Sequence, residues 1–182
     1  MEQQGTAVVG RVREIWVYPV RSLAGSSAAT VEVTPQGLAG DRAWTVVDGN
    51  GPVRAKDAPA MSDVVATGDP EVDALAVSAA LGRPVTLAAT VQKEGVAPVH
   101  LVSRGAIERA AAGEVPEGCS ADDPRANLVL EVQGEDERAW VGRVLHVGGV
   151  VLEVTRTPKH CLGVYADVRH AGRISVGDDV LI

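Results

Sequence analysis

Two alternating apolar–polar runs, residues 143–147 and 150–155, are joined by Gly148-Gly149, and this pair restricts the fold more than any other feature of the chain. In an extended strand successive side chains point to opposite faces, and a two-residue glycine joint tolerates the positive φ of a tight turn. The pair predicts an antiparallel β-hairpin, with His146 pointing outward. The same pattern recurs in residues 8–20, which end at Tyr18-Pro19, and in residues 28–34, where Val31 and Val33 face one way. Further strands are read in the run through Trp44 that stops at Gly49-Asn50-Gly51-Pro52, in residues 85–91 and 98–102, in residues 128–132, which are apolar enough for a buried strand, and in the strand–turn–strand of residues 172–182. Two helices interrupt the strands. Asp69-Pro70 opens one, which carries Val72, Leu75, Ala76 and Ala79 at helical spacing and stops at Gly82; Ser103 opens another that ends near Gly113. Many short strands, glycine-rich turns and few helices predict a mostly-β barrel with a few short helices.

Composition agrees with that reading. The 182 residues are 46% hydrophobic but only 3% aromatic and contain no Phe, so Val, Ala, Leu and Ile must fill the core, which favours strands. A net charge of −7 argues against nucleic acid as a partner, since phosphate must be met by excess Lys and Arg. Residues 1–10 lack a cationic start with an apolar core, and no stretch approaches a membrane span, so a cytoplasmic chain with no membrane role is expected. The Arg- and Ala-rich composition suggests a bacterial source.

Of the two cysteines, Cys119 lies between Gly118 and Ser120 in a polar loop and reads as incidental. Cys161 lies between a strand-like run and a turn, in the stretch from Arg156 through Lys159 and His160 to Asp167. Cations and a histidine beside a thiol favour the thiolate, which binds soft metals and attacks electrophiles. On its immediate neighbours alone, Cys161 also reads as a small core hydrophobe. Phosphate-loop, dinucleotide-glycine and serine-elbow motifs are absent, and the spacing of cysteines and histidines does not suggest zinc.

Five separated pieces alter that balance. They are Tyr18-Pro19-Val20-Arg21-Ser22, the run from Gly37 through Asp41-Arg42-Ala43-Trp44, Asp123-Pro124-Arg125-Ala126-Asn127, His160-Cys161, and the run from Gly172 to Asp178. In this order they resemble the MOSC superfamily, named after the C-terminal part of molybdenum cofactor sulfurase. The first two resemble the β extension that precedes that domain in the amidoxime-reducing relatives. The resemblance implies a single compact unit over residues 1–182, with an extension over about 1–90 and a cysteine-bearing core over about 91–182.

It also implies a groove for molybdenum cofactor (molybdopterin), with Cys161 as metal ligand. Arg21, Ser22, Arg42, Arg125, Asn127 and Lys159 would bind the cofactor, whose phosphate and pterin edge call for guanidinium and amide donors. His160 or Asp167 would supply protons. The implied activity is an oxidoreductase acting on a small-molecule substrate with electrons from a partner; pyridoxal phosphate is not expected on this chain. The alternative is a sulfur carrier, with a persulfide on Cys161 received from a cysteine desulfurase; a third reading is a binding barrel with Cys161 simply buried. The chain departs from the reductases in four ways: His160 stands where they carry Arg, Ala126 replaces Pro between Arg125 and Asn127, Leu162 to Val168 does not match their run after the cysteine, and the short segment to Gly172 removes much of the loop that would shape a substrate pocket.

Overall fold

The computed structural model describes residues 6–182. In chain order its strands are β1 (Val8–Val17), β2 (Ser26–Ala28), β3 (Thr30–Thr34), β4 (Gly37–Leu38), β5 (Trp44–Asp48), β6 (Gly51–Pro52) and β7 (Thr86–Ala89). They continue with β8 (Val99–Ser103), β9 (Leu128–Val132), β10 (Val144–Val147), β11 (Val150–Arg156), β12 (Val164–His170), β13 (Gly172–Ser175) and β14 (Asp179–Leu181). The α-helices are α1 (Pro70–Leu81) and α2 (Arg104–Ala111). The chain forms two compact units that interleave along the sequence: residues 6–16, 28–39 and 97–182 make one, residues 17–27 and 40–96 the other.

The larger unit holds a closed β-barrel. Its ring runs β14-β10-β11-β12-β8-β9-β1 and returns to β14, whose Val180 pairs with Gly10 of β1. The Gly-Gly hairpin is present as read, with Val147 opposite Val150 and Gly148 at φ 55°. Along β11 only Val150, Leu152 and Val154 are buried, as the alternation requires, and His146 is exposed on β10. Strand β8 is buried throughout because both of its faces are covered, one of them by α2, whose Ala106 and Ala110 pack on Val102, Val129, Ala126 and Leu162. Ser103 caps α2 through its side chain, which accepts from the Ala106 amide. A smaller sheet, β13-β3-β4, belongs to the same unit.

The second unit is a three-stranded sheet, β6-β5-β7, with α1 packed on β7. Its core is Val20, Leu23, Val46, Val53, Met61, Ala66, Val77 and Val85. Asp69 caps α1 by accepting from the Glu71 and Val72 amides, and Gly82 ends it in the left-handed conformation at φ 66°.

The helix opened by Asp69-Pro70 is present as read, but two features depart from the simple pattern. The apolar residues Val72, Leu75, Ala76 and Ala79 of α1 are exposed, and the helix buries Asp73 and Val77 instead. Asp73 is tolerated inside because its carboxylate accepts from Thr67 N, Thr67 Oγ1 and Gly68 N, which fastens the turn leading into the helix. The turn expected after Cys161 is only a short bend, and β12 follows at once as a ring strand between β11 and β8. Among the described residues no helix is long and apolar enough to cross a membrane.

Candidate functional site around Cys161

Strand β11 ends at Arg156 and β12 begins at Val164, and Cys161 lies on the connection between them. Gly163 fixes how that connection enters β12. Its φ is 83°, and a Cβ there would run into the Leu101 carbonyl of β8, so only glycine lets the two backbones meet so closely. The Arg138 guanidinium holds the connection from outside, donating from Nη1 to the Gly163 carbonyl at 3.3 Å and to the Cys161 carbonyl at 3.5 Å. His100, buried on β8, has Nε2 at 2.8 Å from the Leu162 carbonyl.

The Cys161 thiol is half-buried, and burial raises its pKa. A hydrogen bond from the Tyr165 side chain opposes that rise, the neighbouring Cys119 adds to it, and the positive charge of Arg138 opposes it again. The net direction runs against the expectation of a favoured thiolate, because desolvation raises the Cys161 pKa by more than the Tyr165 hydrogen bond and the Arg138 charge lower it. Tyr165 is held in place from two sides. The His100 ring meets it edge-on at 4.8 Å between centroids, and the Arg156 guanidinium lies 5.2 Å from its ring centre.

Cys119 is the largest correction. Its Sγ donates to the Cys161 carbonyl at 3.2 Å, the Ser120 amide donates to the His160 carbonyl at 2.9 Å, and His160 Nδ1 lies 3.3 Å from the Gly118 carbonyl. The loop that reads as incidental is therefore laced to the Cys161 connection at three points. Beyond it, a cleft of about 200 Å³ is lined by Arg109, Glu114, Asp136, Arg138, Leu162 and Gly163. Arg109 pairs with Asp136 at 2.5 Å. Asp136 is held below the usual carboxylate range: burial would raise it, but hydrogen bonds from Glu137 and the Arg138 amide and the charges of Arg109 and Arg138 prevail. The adjacent Glu137 is fully buried and pushed upward, first by desolvation and then by Asp136, so it retains its proton more readily than an ordinary Glu.

The other predicted residues fall as follows. Lys159 and His160 are exposed beside Cys161. Asp167 lies on β12 opposite Glu153, on the strand face it shares with Tyr165. Asn127 is buried at the start of β9: Oδ1 accepts the His100 amide at 3.1 Å and Nδ2 donates to the Trp16 carbonyl at 3.3 Å, so its amide serves the barrel. Arg125 precedes it, its amide tied to Asp123 Oδ1 at 2.9 Å. In the second unit, the segments of Arg21, Ser22 and Arg42 are joined by backbone hydrogen bonds from Arg42 N to Tyr18 O and from Arg21 N to Trp44 O. Arg42 pairs with Asp41 at 2.5 Å and stacks 5.1 Å from the Tyr18 ring centre, while Asp41 also accepts the Tyr18 amide.

Sequence reasoning missed Cys119, Tyr165 and Arg138. Tyr165 had a usable signal, since Val164 and Ala166 flank it in strand alternation; the other two had none in their own neighbourhoods.

The fold and the site together define a closed β-barrel protein with a half-buried cysteine on a strand connection. The MOSC N-terminal beta barrel domain model matches residues 9–120, more than half of the chain, and the chain belongs to that family. Among solved structures, it is similar to the YuaD protein from Bacillus subtilis, with 11% identity, a TM-score of 0.57, and coverage of 95% of this chain and 94% of that one. A hypothetical protein aligns at 13% identity and a TM-score of 0.50, covering 96% of this chain and 67% of its own. At such identities these structures share the fold. No curated protein matches the sequence.

Proposed function

We propose that the chain is a molybdenum-cofactor-binding MOSC protein, an oxidoreductase acting on a small molecule with Cys161 as metal ligand. One observation carries this reading. Among the described residues, the non-glycine residues with positive φ are Ser22 (71°), Arg42 (50°) and Arg125 (54°), and all three belong to the set that the family resemblance assigns to the cofactor. Left-handed backbone costs a side-chain-bearing residue roughly 1–3 kcal/mol, and such strain gathers at sites of function.

The residues fit the group in part. A soft thiol beside a tyrosine hydroxyl and a guanidinium suits a molybdenum ligand, and a metal would displace the thiol proton despite the raised pKa. In the unit that holds Cys161, Arg125 and Lys159 would supply charge for its phosphate, whereas Asn127 has its amide engaged within the barrel; Arg21 and Arg42 belong to the other unit. When bound, the cofactor supplies two-electron redox chemistry, with electrons delivered by a partner protein. This chain would supply the sulfur ligand at Cys161 and the charges, with His160 or Asp167 holding the proton. Molybdenum analysis of protein purified from a cofactor-producing host tests the reading: metal present in the native protein and lost in Cys161→Ser is expected. A native protein that is metal-free and refuses added cofactor would overturn it.

Cys119 favours a second reading, a sulfur carrier with a persulfide on Cys161, because its Sγ, 3.2 Å from the Cys161 carbonyl, puts a second thiol beside the residue that would carry the sulfur. Incubation with a cysteine desulfurase would then make the protein one sulfur heavier, and Cys161→Ser would abolish the gain.

A further inference from the structure

A metal-ligand role for Cys161 leaves Cys119 without a task, yet the fold brings this thiol across 42 residues of sequence to the Cys161 carbonyl. That carbonyl and the Cys161 sulfur belong to one residue, so the two sulfurs share one small neighbourhood. Both cysteines are free and partly exposed, and both sit on irregular backbone outside the barrel strands, where small shifts disturb no sheet ladder.

We propose that Cys119 is the resolving thiol of Cys161: it attacks Sγ of Cys161 when that sulfur bears a sulfane sulfur or a thiol adduct, and closes a Cys119–Cys161 disulfide. For a persulfide, the Cys119 thiolate bonds to Sγ, the bond from Sγ to the outer sulfur breaks, and the outer sulfur leaves as hydrosulfide with that bond's electron pair. The two cysteines are oxidised to the disulfide, the sulfane sulfur is reduced to sulfide, and the Cys119 proton goes to solvent. A glutathione adduct resolves in the same way, with glutathione thiolate leaving. A dithiol reductant resets the pair. Charge on the sulfurs during the exchange falls beside the Arg138 guanidinium, whose Nη1 is anchored to the Cys161 and Gly163 carbonyls. Cys119 thus sets how long Cys161 holds its cargo. The persulfide step rests on the sulfur-carrier reading; closure of the disulfide does not.

The test uses the full chain, loaded on Cys161 with sodium tetrasulfide in one arm and with oxidised glutathione in the other, then freed of reagent and followed by intact mass. The chain contains two cysteines, so a monomer two hydrogens lighter than the reduced protein can arise only from their pairing. The native protein should pass to that species while releasing sulfide or glutathione, and Cys119→Ser should keep either adduct at least about tenfold longer. Equal adduct lifetimes in the two proteins, or absence of the lighter monomer in both arms, would overturn the proposal. If Cys119→Ser does not fold, appearance or absence of the lighter monomer from the native protein decides. Loading by a cysteine desulfurase is scored separately: its failure, with disulfide closure intact after chemical loading, would sink the carrier reading and leave the resolving role standing.

Discussion

Asn127 and His100 grip each other through two hydrogen bonds, the His100 amide donating to Asn127 Oδ1 at 3.1 Å and the Asn127 amide donating to the His100 carbonyl at 2.9 Å. The Asn127 side chain reaches on to Trp16, so one residue ties β8, β9 and β1 together at the end of the barrel near Cys161. Asn127→Ala leaves the buried His100 amide unpaired, which costs about 1–3 kcal/mol. Urea unfolding should show that loss in the protein without any cofactor. An unchanged midpoint would return Asn127 to ligand binding.

The thiol at Cys161 is poised between opposed neighbours, and two variants should move it in opposite directions. Tyr165→Phe removes a hydrogen bond that favours the thiolate, so the pKa rises and alkylation at fixed neutral pH slows. Cys119→Ser removes a neighbour that disfavours it, so the pKa falls and alkylation of the remaining thiol quickens. At a pH well below the pKa, the thiolate fraction changes about tenfold for every pH unit between them, so a modest displacement of the pKa is readable as a rate. Rates of iodoacetamide labelling against pH check both variants, and movement of the pKa in the same direction in both would contradict the arrangement.

Glu137 gives the stability curve a distinctive slope. Its pKa is raised in the folded protein, so over the range between its unfolded and folded values the native state binds more protons than the unfolded state. Its contribution is fully present below the ordinary Glu range and is lost as pH rises through the folded value. Glu137→Gln mimics the protonated side chain, keeps an acceptor for the Ser103 amide, and should flatten the fall in urea midpoint across that range. Asp136, with its lowered pKa, acts with the opposite sign and at lower pH, so its effect does not mask the result. An unaltered slope in the Gln variant would refute the assignment.

Gly163→Ala should be severe. The new Cβ strikes the Leu101 carbonyl at a left-handed position, so β8 and β12 must part or the Cys161 connection must refold. A loss of about 3 kcal/mol or more is expected in thermal unfolding. A neutral result would mean that the close approach of the two backbones is not needed.

Much of the fold was readable because caps and turns are local. Asp69 and Gly82 bracket α1 to the residue, Ser103 opens α2, and Gly148-Gly149 makes the hairpin. The buried face of α1 was not readable. Asp73 turns inward for hydrogen bonds from Thr67 and Gly68, a partnership that hydrophobic spacing cannot register. Strand β12 was hidden as well, since its short alternation follows a glycine and its ladder partners come from distant strands. At the site, Cys161 stands out through its company with Arg and His, while Cys119 does not, because nothing within a few residues of it hints at a partner so far along the chain.

The barrel's strand count explains where that partner comes from. In a closed ring, direction can alternate at every joint only if the number of strands is even. Seven strands therefore force at least one joint where neighbours run the same way, and here it falls between β8 and β9, the ring's parallel pair. Parallel neighbours cannot be linked by a tight turn; the chain must travel back along the barrel before it can start again. Helix α2 and the loop after it make that return, and Cys119 rides on the loop. An odd-numbered barrel thus delivers a second sulfur to Cys161, and a relative that closed its ring with an even, fully alternating set would have no such return path on which to carry one.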